Sequence, residues 1–245
     1  MEFKVIHIDE TDSTNRWLRR LYSTDHESSL AVWAEYQTAG QGCGSNSWES
    51  EGGKNLTFSL LLHPTEIPAE CQFRISEAVS VAICETLDGL LPREHEVTIK
   101  WPNDIYVGDQ KICGILIENQ LRGRLISDSI VGIGLNVNQM EFKSDAPNPV
   151  SAAQIIGHEV DREALLQALL QRLPATMEME PEALMQTYRG RLYRREGYHP
   201  FRHSHGDFEA KVMNVLDDGR LVLLDTEGTA RIYTFKEVEF LINPT

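Results

Sequence analysis

The sequence predicts an α+β protein with a large strand-and-helix unit over residues 1–196 and a small all-strand unit over residues 197–245. Three observations carry this. Apolar strand-like runs alternate irregularly with helically spaced segments as far as Tyr193. Beyond Gly197 helical spacing gives way to short alternating runs separated by turns. The 245 residues are 41% apolar, enough to build one large core, or a medium core with an appendage.

The elements follow in order. Val5 to Ile8 reads as a strand, and Asp12 or Ser13 is a natural N-cap for a helix with Trp17, Leu18 and Leu21 on one face. Leu30 to Glu35 is a second strand. It enters a loop, Gln37 to Asn46, that contains Gly40, Gly42 and Gly44, after which Asn55 to Leu62 is apolar enough for a central strand. Phe73 to Leu90 has helical spacing through Ile75, Val79, Ala82, Ile83 and Leu87. Val97 to Lys100 alternates as a strand and Pro102 ends it. Ile105 to Val107, the Gly108-Asp109 turn and Ile112 to Ile117 then form a hairpin. Ile126 to Asn136 is another strand, ending in the Gly132/Gly134 pair. Ala164 to Leu173 and Pro181 to Tyr193 are helical, the second opening on a proline in its first turn. In the C-terminal unit Phe208, Ala210 and Val212 alternate, Asp217-Asp218-Gly219 turns, Leu221 to Leu224 returns and Glu227-Gly228 turns again. Ile232, Tyr233, Phe235 and Val238 close the run. Such a meander suggests a small SH3-like barrel, which would be marginal alone and should lean on the larger unit.

Composition narrows the function. The 23 Lys/Arg against 37 Asp/Glu give a net charge of −14, which repels a polyanion at long range and argues against nucleic-acid binding. No apolar run is long enough to cross a bilayer, and Met-Glu-Phe-Lys-Val-Ile-His-Ile lacks the regions of a signal peptide, so no membrane association and a cytoplasmic location are expected. Cys43, Cys71, Cys84 and Cys113 show neither zinc nor disulfide spacing and read as free thiols. No Gly-x-x-x-x-Gly-Lys-[Ser/Thr] occurs, which sets aside a P-loop phosphotransferase.

The chemistry concentrates in Lys100-Trp101-Pro102-Asn103-Asp104 and Lys111-Ile112-Cys113-Gly114-Ile115-Leu116, where two lysines and an Asn/Asp pair stand beside short strands. Strand-end loops are where binding groups usually sit, and this set suits an anionic ligand, although a plain hairpin would share the pattern. Asp12-Ser13-Thr14-Asn15, Gln37-Thr-Ala-Gly-Gln-Gly42, Trp48 and Gly132-Ile-Gly-Leu-Asn136-Val-Asn138 complete a set of five ordered motifs. In order and spacing this set resembles the biotin protein ligases, the biotin–[acetyl-CoA carboxylase] ligases, from about residue 5 to residue 140.

That resemblance implies a class II synthetase-like catalytic domain, a mixed sheet flanked by helices, carrying the SH3-like C-terminal domain. It implies a ligase that forms biotinyl-5′-AMP from biotin and ATP with Mg²⁺, then transfers biotin to a lysine of a biotin carboxyl carrier protein. Two anions must be brought together for this. At about 4 Å two unit charges repel by roughly 4 kcal/mol at an effective dielectric near 20, so the site needs cations and oriented N–H donors.

Residue by residue, the resemblance makes Lys100 the catalytic group, bridging the biotin carboxylate and the α-phosphate. Ser13, Thr14, Asn15 and Gln37 would serve the ureido ring and tail of biotin, whose donors and acceptor suit hydroxyls and amides. Gly40 and Gln41 would join them from the loop, with Gly114 and Gly132 letting the backbone approach the ligand. Gly42, Cys43, Trp48, Asn103, Lys111 and Asn136 would hold ATP and the adenylate, with Trp48 packing on adenine. Asp104 would hold the metal or orient donors. Simpler roles stay open: Ser13 as a plain N-cap, Trp48 as a core side chain, Lys111 as a turn lysine.

Many members of that family carry Gly-Arg-Gly-Arg-Arg-Gly-Arg in the glycine loop. Here the run is Gly40-Gln-Gly-Cys-Gly-Ser-Asn46, without a cation, and Lys54 is the nearest substitute. The chain reaches Ser13-Thr14-Asn15 without the helix-turn-helix of bifunctional members, so a monofunctional enzyme that does not bind duplex DNA is expected. The alternatives are a lipoate–protein ligase, which shares the fold but usually lacks Lys-Trp-Pro-Asn-Asp, and a non-catalytic biotin-sensing module, for which the missing arginines argue. Exposed strand edges leave room for a homodimer.

Overall fold

The computed structural model describes residues 2–22, 29–44, 46–143 and 148–242. In chain order they form β1 (Lys4–Thr11), α1 (Thr14–Tyr22), β2 (Leu30–Gln37), β3 (Leu56–Leu62), α2 (Phe73–Asp88), β4 (Val97–Lys100), β5 (Asp104–Val107), β6 (Gln110–Arg122), β7 (Leu125–Leu135), α3 (Ala152–Ile156), α4 (Arg162–Met177) and α5 (Pro181–Gly190). A second group follows: β8 (His199–His203), β9 (Gly206–Val215), β10 (Leu221–Asp225), β11 (Ala230–Tyr233) and β12 (Val238–Phe240).

β1 to β7 make one mixed sheet in the order β1-β2-β3-β7-β6-β5-β4, parallel only between β1 and β2. β3 is buried along its whole length, as a Leu-rich strand with neighbours on both sides and cover on both faces must be. The two faces are covered unequally. On one, α2 presents Ile75, Val79, Ala82, Ile83 and Leu87 and merges with α4 and α5 into the main core. On the other, only α1 packs, seating Leu18 among Leu30, Val32, Leu61 and Ile130. Each such buried leucine or isoleucine contributes about 1.5–3 kcal/mol.

Strand alternation decides what lies beyond α1 on its face. Ile130 points toward α1, so Gly132 and Gly134 follow it on the same face, and Gly114 lies directly opposite Gly134 in the register of β6 and β7. Three glycines thus leave that part of the sheet without side chains of its own, beside the first turn of α1.

The C-terminal strands form a five-stranded antiparallel sheet, β11-β10-β9-β8-β12. No pairing joins β11 to β12 among the described residues, so the expected barrel is here an antiparallel sheet. It docks on the larger unit through specific bonds. The Trp101 indole N–H donates to Gly219 O at 2.8 Å, Arg189 Nε to Val215 O at 2.9 Å, and Arg194 Nη2 to Leu241 O at 3.0 Å. Gly219 has φ +86°, and a Cβ there would run into the Phe73 ring. Two elements escaped the sequence reading. β8, His-Pro-Phe-Arg-His, buries only Phe201, too little to show as a strand pattern. α3 is five residues long, and its one signal is a capping box in which Ser151 and Gln154 satisfy each other's backbone N–H.

Glu77 on α2 is 2% exposed, and its Oε1 has no hydrogen-bond partner. Burial holds its pKa up at about 7, against the opposing pull of Arg189 and Arg74. The fold therefore favours the protonated acid. Stability should be highest at low pH on this account, fall as pH rises from about 4.5 toward 7, and level off above. Glu77→Gln should remove that slope and stabilise the protein at pH 8 by on the order of 2 kcal/mol, read from urea unfolding at pH 5 and pH 8.

Candidate active site

The bare face of the sheet is the floor of a cavity of about 760 Å³. Its walls are the α1 N-terminus, the glycine loop, the Lys100–Asp104 corner and, from the turn between β11 and β12, Phe235. Every predicted site residue lines it except Gly40. Gly40 stands behind the wall: its carbonyl accepts from Trp48 N at 3.1 Å, and a Cβ there would press on the Trp48 carbonyl.

At the α1 end the polar groups are held in advance. Gln37 Oε1 accepts from Thr14 N at 2.8 Å and Thr14 Oγ1 at 3.1 Å. The Ser59 hydroxyl lies 2.7 Å from Thr14 Oγ1 and 2.5 Å from Asn15 Oδ1, and Asn15 Nδ2 donates to Glu118 Oε2 at 2.9 Å. Asn15 thus has both its carbonyl and its amide engaged once each and helps to position its neighbours. Its fit requires Gly132, where a Cβ would overlap Asn15 Oδ1. Ser13 caps α1 through its backbone, since its carbonyl accepts from Trp17 N at 2.9 Å. Its hydroxyl has no partner among the described residues and lines the cavity, which separates the cap role from the ligand role.

At the other end Trp48 lies across Gly114 and Gly134. A Cβ on Gly134 would enter the indole, and one on Gly114 would come within 2.8 Å of it. Gly114 and Gly134 accommodate Trp48 and Gly132 accommodates Asn15, and all three also line the cavity. The indole is half-buried, its Nε1 has no partner, and Lys111 Nζ sits 5.7 Å from the ring centroid. Trp48 is thus seated on the floor and lines the cavity. Asn136 donates to Val150 O at 3.1 Å while its buried Oδ1 is unpartnered, and Asn103 Nδ2 reaches Ser76 Oγ at 3.3 Å.

The cations differ in availability. Lys111 Nζ pairs with Asp104 Oδ1 at 2.7 Å. Lys100 has no carboxylate partner among the described residues; it lies 5.1 Å from the Phe240 ring and 5.7 Å from the Tyr106 ring. Burial pushes its pKa below the ordinary lysine range, Asp104 opposes this, and Lys111 adds to it. The corner that presents Lys100 is anchored by the Trp101 indole and by the Tyr188 hydroxyl, which donates to Pro102 O at 2.7 Å across a cis Trp101-Pro102 bond.

Lys54 does not replace the loop arginines: its ammonium pairs with Glu159 at 3.0 Å, away from the cavity. Asp104 is engaged by Lys111, and no group of three metal-ligating side chains occurs among the described residues, so these residues do not fit a dedicated Mg²⁺ site. Sequence reasoning missed Ser59, Gly134, Phe142, Pro149 and Phe235. Of these only Gly134 had a visible signal, its Gly-x-Gly spacing with Gly132 on one strand face.

Comparison with known proteins agrees with this geometry. The model of the biotin/lipoate A/B protein ligase family matches residues 8–136, more than half of the chain. The bifunctional ligase/repressor BirA of Bacillus subtilis is 29% identical over 252 residues, covering 94% of this chain and 72% of its own. The biotin–[acetyl-CoA-carboxylase] ligase of Paracoccus denitrificans is 31% identical over 163 residues, covering 65% and 67%. The biotin protein ligase of Aquifex aeolicus, solved in complex with biotin and ATP, superposes with a TM-score of 0.79 at 25% identity, covering 98% of this chain and 99% of that one. With a matching family model, a matching fold and the motif residues gathered around one cavity, the chain belongs to the biotin/lipoate A/B protein ligase family.

Proposed function

We propose that this chain is an ATP-dependent biotin protein ligase. The observation that carries the reading is one cavity with two chemically distinct ends, lined also by a half-buried lysine that has no carboxylate partner among the described residues. The Ser13, Thr14 and Gln37 end suits the donors and acceptor of a ureido ring. The Trp48 end offers an aromatic surface for a purine. Lys100, which lines the same cavity, would meet the carboxylate and the α-phosphate.

The carboxylate oxygen of biotin attacks the α-phosphorus of ATP; a new P–O bond forms, the bond to the bridging oxygen breaks, and pyrophosphate leaves. Lys100 offsets the charge that grows on the α-phosphoryl oxygens. The neutral amine of a carrier lysine then attacks the acyl carbon; the C–N bond forms, the acyl C–O bond to the phosphate breaks, AMP leaves, and the nitrogen gives up one proton to solvent. Mg²⁺ belongs to the substrate as MgATP, held mainly by the phosphates, because Asp104 is already paired. In this reading residues 1–196 carry the catalytic domain, residues 197–245 close one side of its cavity, and the reaction takes place in the cytoplasm on a biotin carboxyl carrier protein.

Lipoate is the competing acid. Its dithiolane ring cannot satisfy the Ser13 hydroxyl, and a polar site left unpaired rejects an analogue strongly. The test is incubation with MgATP, a carrier domain and either acid, read by intact mass. Biotin should add one biotinyl group to a single carrier lysine and lipoate should add nothing; lipoyl addition at comparable rate would contradict the assignment.

A further inference from the structure

The loop Gly40 to Asn46 has no cationic side chain. The residues lining the cavity carry two lysines, Lys100 and Lys111, against two carboxylates, Asp104 and Glu49, and Lys111 is already paired. A carboxylate and a triphosphate gathered there would face a protein of net charge −14 with little to offset them.

A third ammonium stands at the rim. Lys236 lies in the turn between β11 and β12, and its Nζ is 2.6 Å from the point where a Cβ on Gly44 would be. Gly44 has φ +71° and no side chain, so the ammonium occupies the space that a loop side chain would otherwise fill. Phe235, its neighbour in the turn, lines the cavity and meets Trp101 edge-on at 6.1 Å, which ties the turn to the Lys100 corner. Lys236 has no carboxylate partner among the described residues. It also takes φ +73°, a conformation that glycine or asparagine adopts at lower cost. A long cationic side chain kept there against the backbone preference points to use.

We propose that Lys236 is the cation the glycine loop lacks, and that it binds the phosphate groups of the nucleoside triphosphate across the mouth of the cavity. The proposal rests on the ligase reading above. A lysine suits the task, since a compact charge on a flexible stem can follow phosphate oxygens without fixed geometry. The C-terminal sheet is then part of the nucleotide site, and its docking through Trp101 and Arg194 sets where the charge is presented.

The test uses the full chain as wild type, Lys236→Ala and Lys236→Arg, with biotin-dependent ATP–pyrophosphate exchange measured against ATP concentration. Lys236→Ala should raise the KM for ATP about tenfold to a hundredfold, the scale of one lost charge-assisted hydrogen bond. Lys236→Arg should recover most of that. Biotin affinity without ATP and the melting temperature should stay at wild-type values, because Lys236 is exposed and makes none of the bonds that hold Thr14, Asn15 and Gln37. The wild-type KM for ATP should also rise more steeply with ionic strength than that of the alanine variant. An unchanged KM for ATP in Lys236→Ala, or an equal loss of biotin affinity, would overturn the proposal while leaving the ligase reading intact. A wild-type protein without biotin-dependent exchange would sink both.

Discussion

Lys100→Ala should slow biotin-dependent adenylate formation by two or more powers of ten, the usual scale for removing a group that stabilises transition-state charge. Lys100 is the one cavity lysine without a carboxylate partner among the described residues, and it is held at a corner fixed by Trp101 and Tyr188. The second lysine cannot take over, because Lys111 is paired with Asp104. The loss should fall on kcat with the melting temperature little changed or raised. Burial disfavours the charged form of Lys100, so its folded pKa lies below 10.5. The uncharged form is thus the one the fold prefers, and stability from this group increases as pH rises through the folded pKa. Catalysis needs the charged form. The wild-type exchange rate should therefore decline at a pH below the ordinary lysine range, and the alanine variant should lack that decline. Near-normal exchange in Lys100→Ala, measured as label entering ATP from pyrophosphate, would remove Lys100 from the mechanism.

Gly134→Ala should have the next largest effect, on ATP alone. A methyl group at Gly134 would enter the Trp48 indole, and Gly134 cannot retreat because it is paired with Thr57 on one side and Gly114 on the other. Trp48 must leave its seat. Stacking of a base on an aromatic ring is worth about 1–3 kcal/mol, so the KM for ATP should rise roughly fivefold to a hundredfold. Gly132→Ala lies two residues away on the same strand face and would instead displace Asn15 and the Thr14, Ser59 and Gln37 bonds around it. Its effect should fall on biotin affinity. Calorimetric titration with biotin, and exchange kinetics against ATP, separate the two variants. Identical profiles would contradict the assignment of the two cavity ends.

The contrast between these glycines shows what the sequence made legible. The strands and helices other than β8 and α3, and the five motifs, were visible because each is local: an alternation, a cap, a proline after a strand. The cavity floor was only half visible. Gly132 and Gly134 announce themselves by spacing, but that they seat Asn15 and Trp48 depends on the register of β6, β7 and β3, which no single segment encodes. Ser59 was hidden for the same reason, as one polar residue on an otherwise apolar central strand. Lys54 is close to the glycine loop in sequence but does not line the cavity, because Glu159 holds its ammonium. Lys236 was invisible because it comes from the far end of the chain, brought to Gly44 by the docking of a second sheet. β8 was missed because it buries one side chain in five.

The central claim is that this cavity activates the carboxylate of biotin as an acyl-adenylate. Its most direct test is exchange of labelled pyrophosphate into ATP by the purified wild-type chain, with biotin, with lipoate, and with neither. Exchange that depends on biotin and is absent in the other two conditions is the predicted result; exchange no faster with biotin than without it would contradict the account.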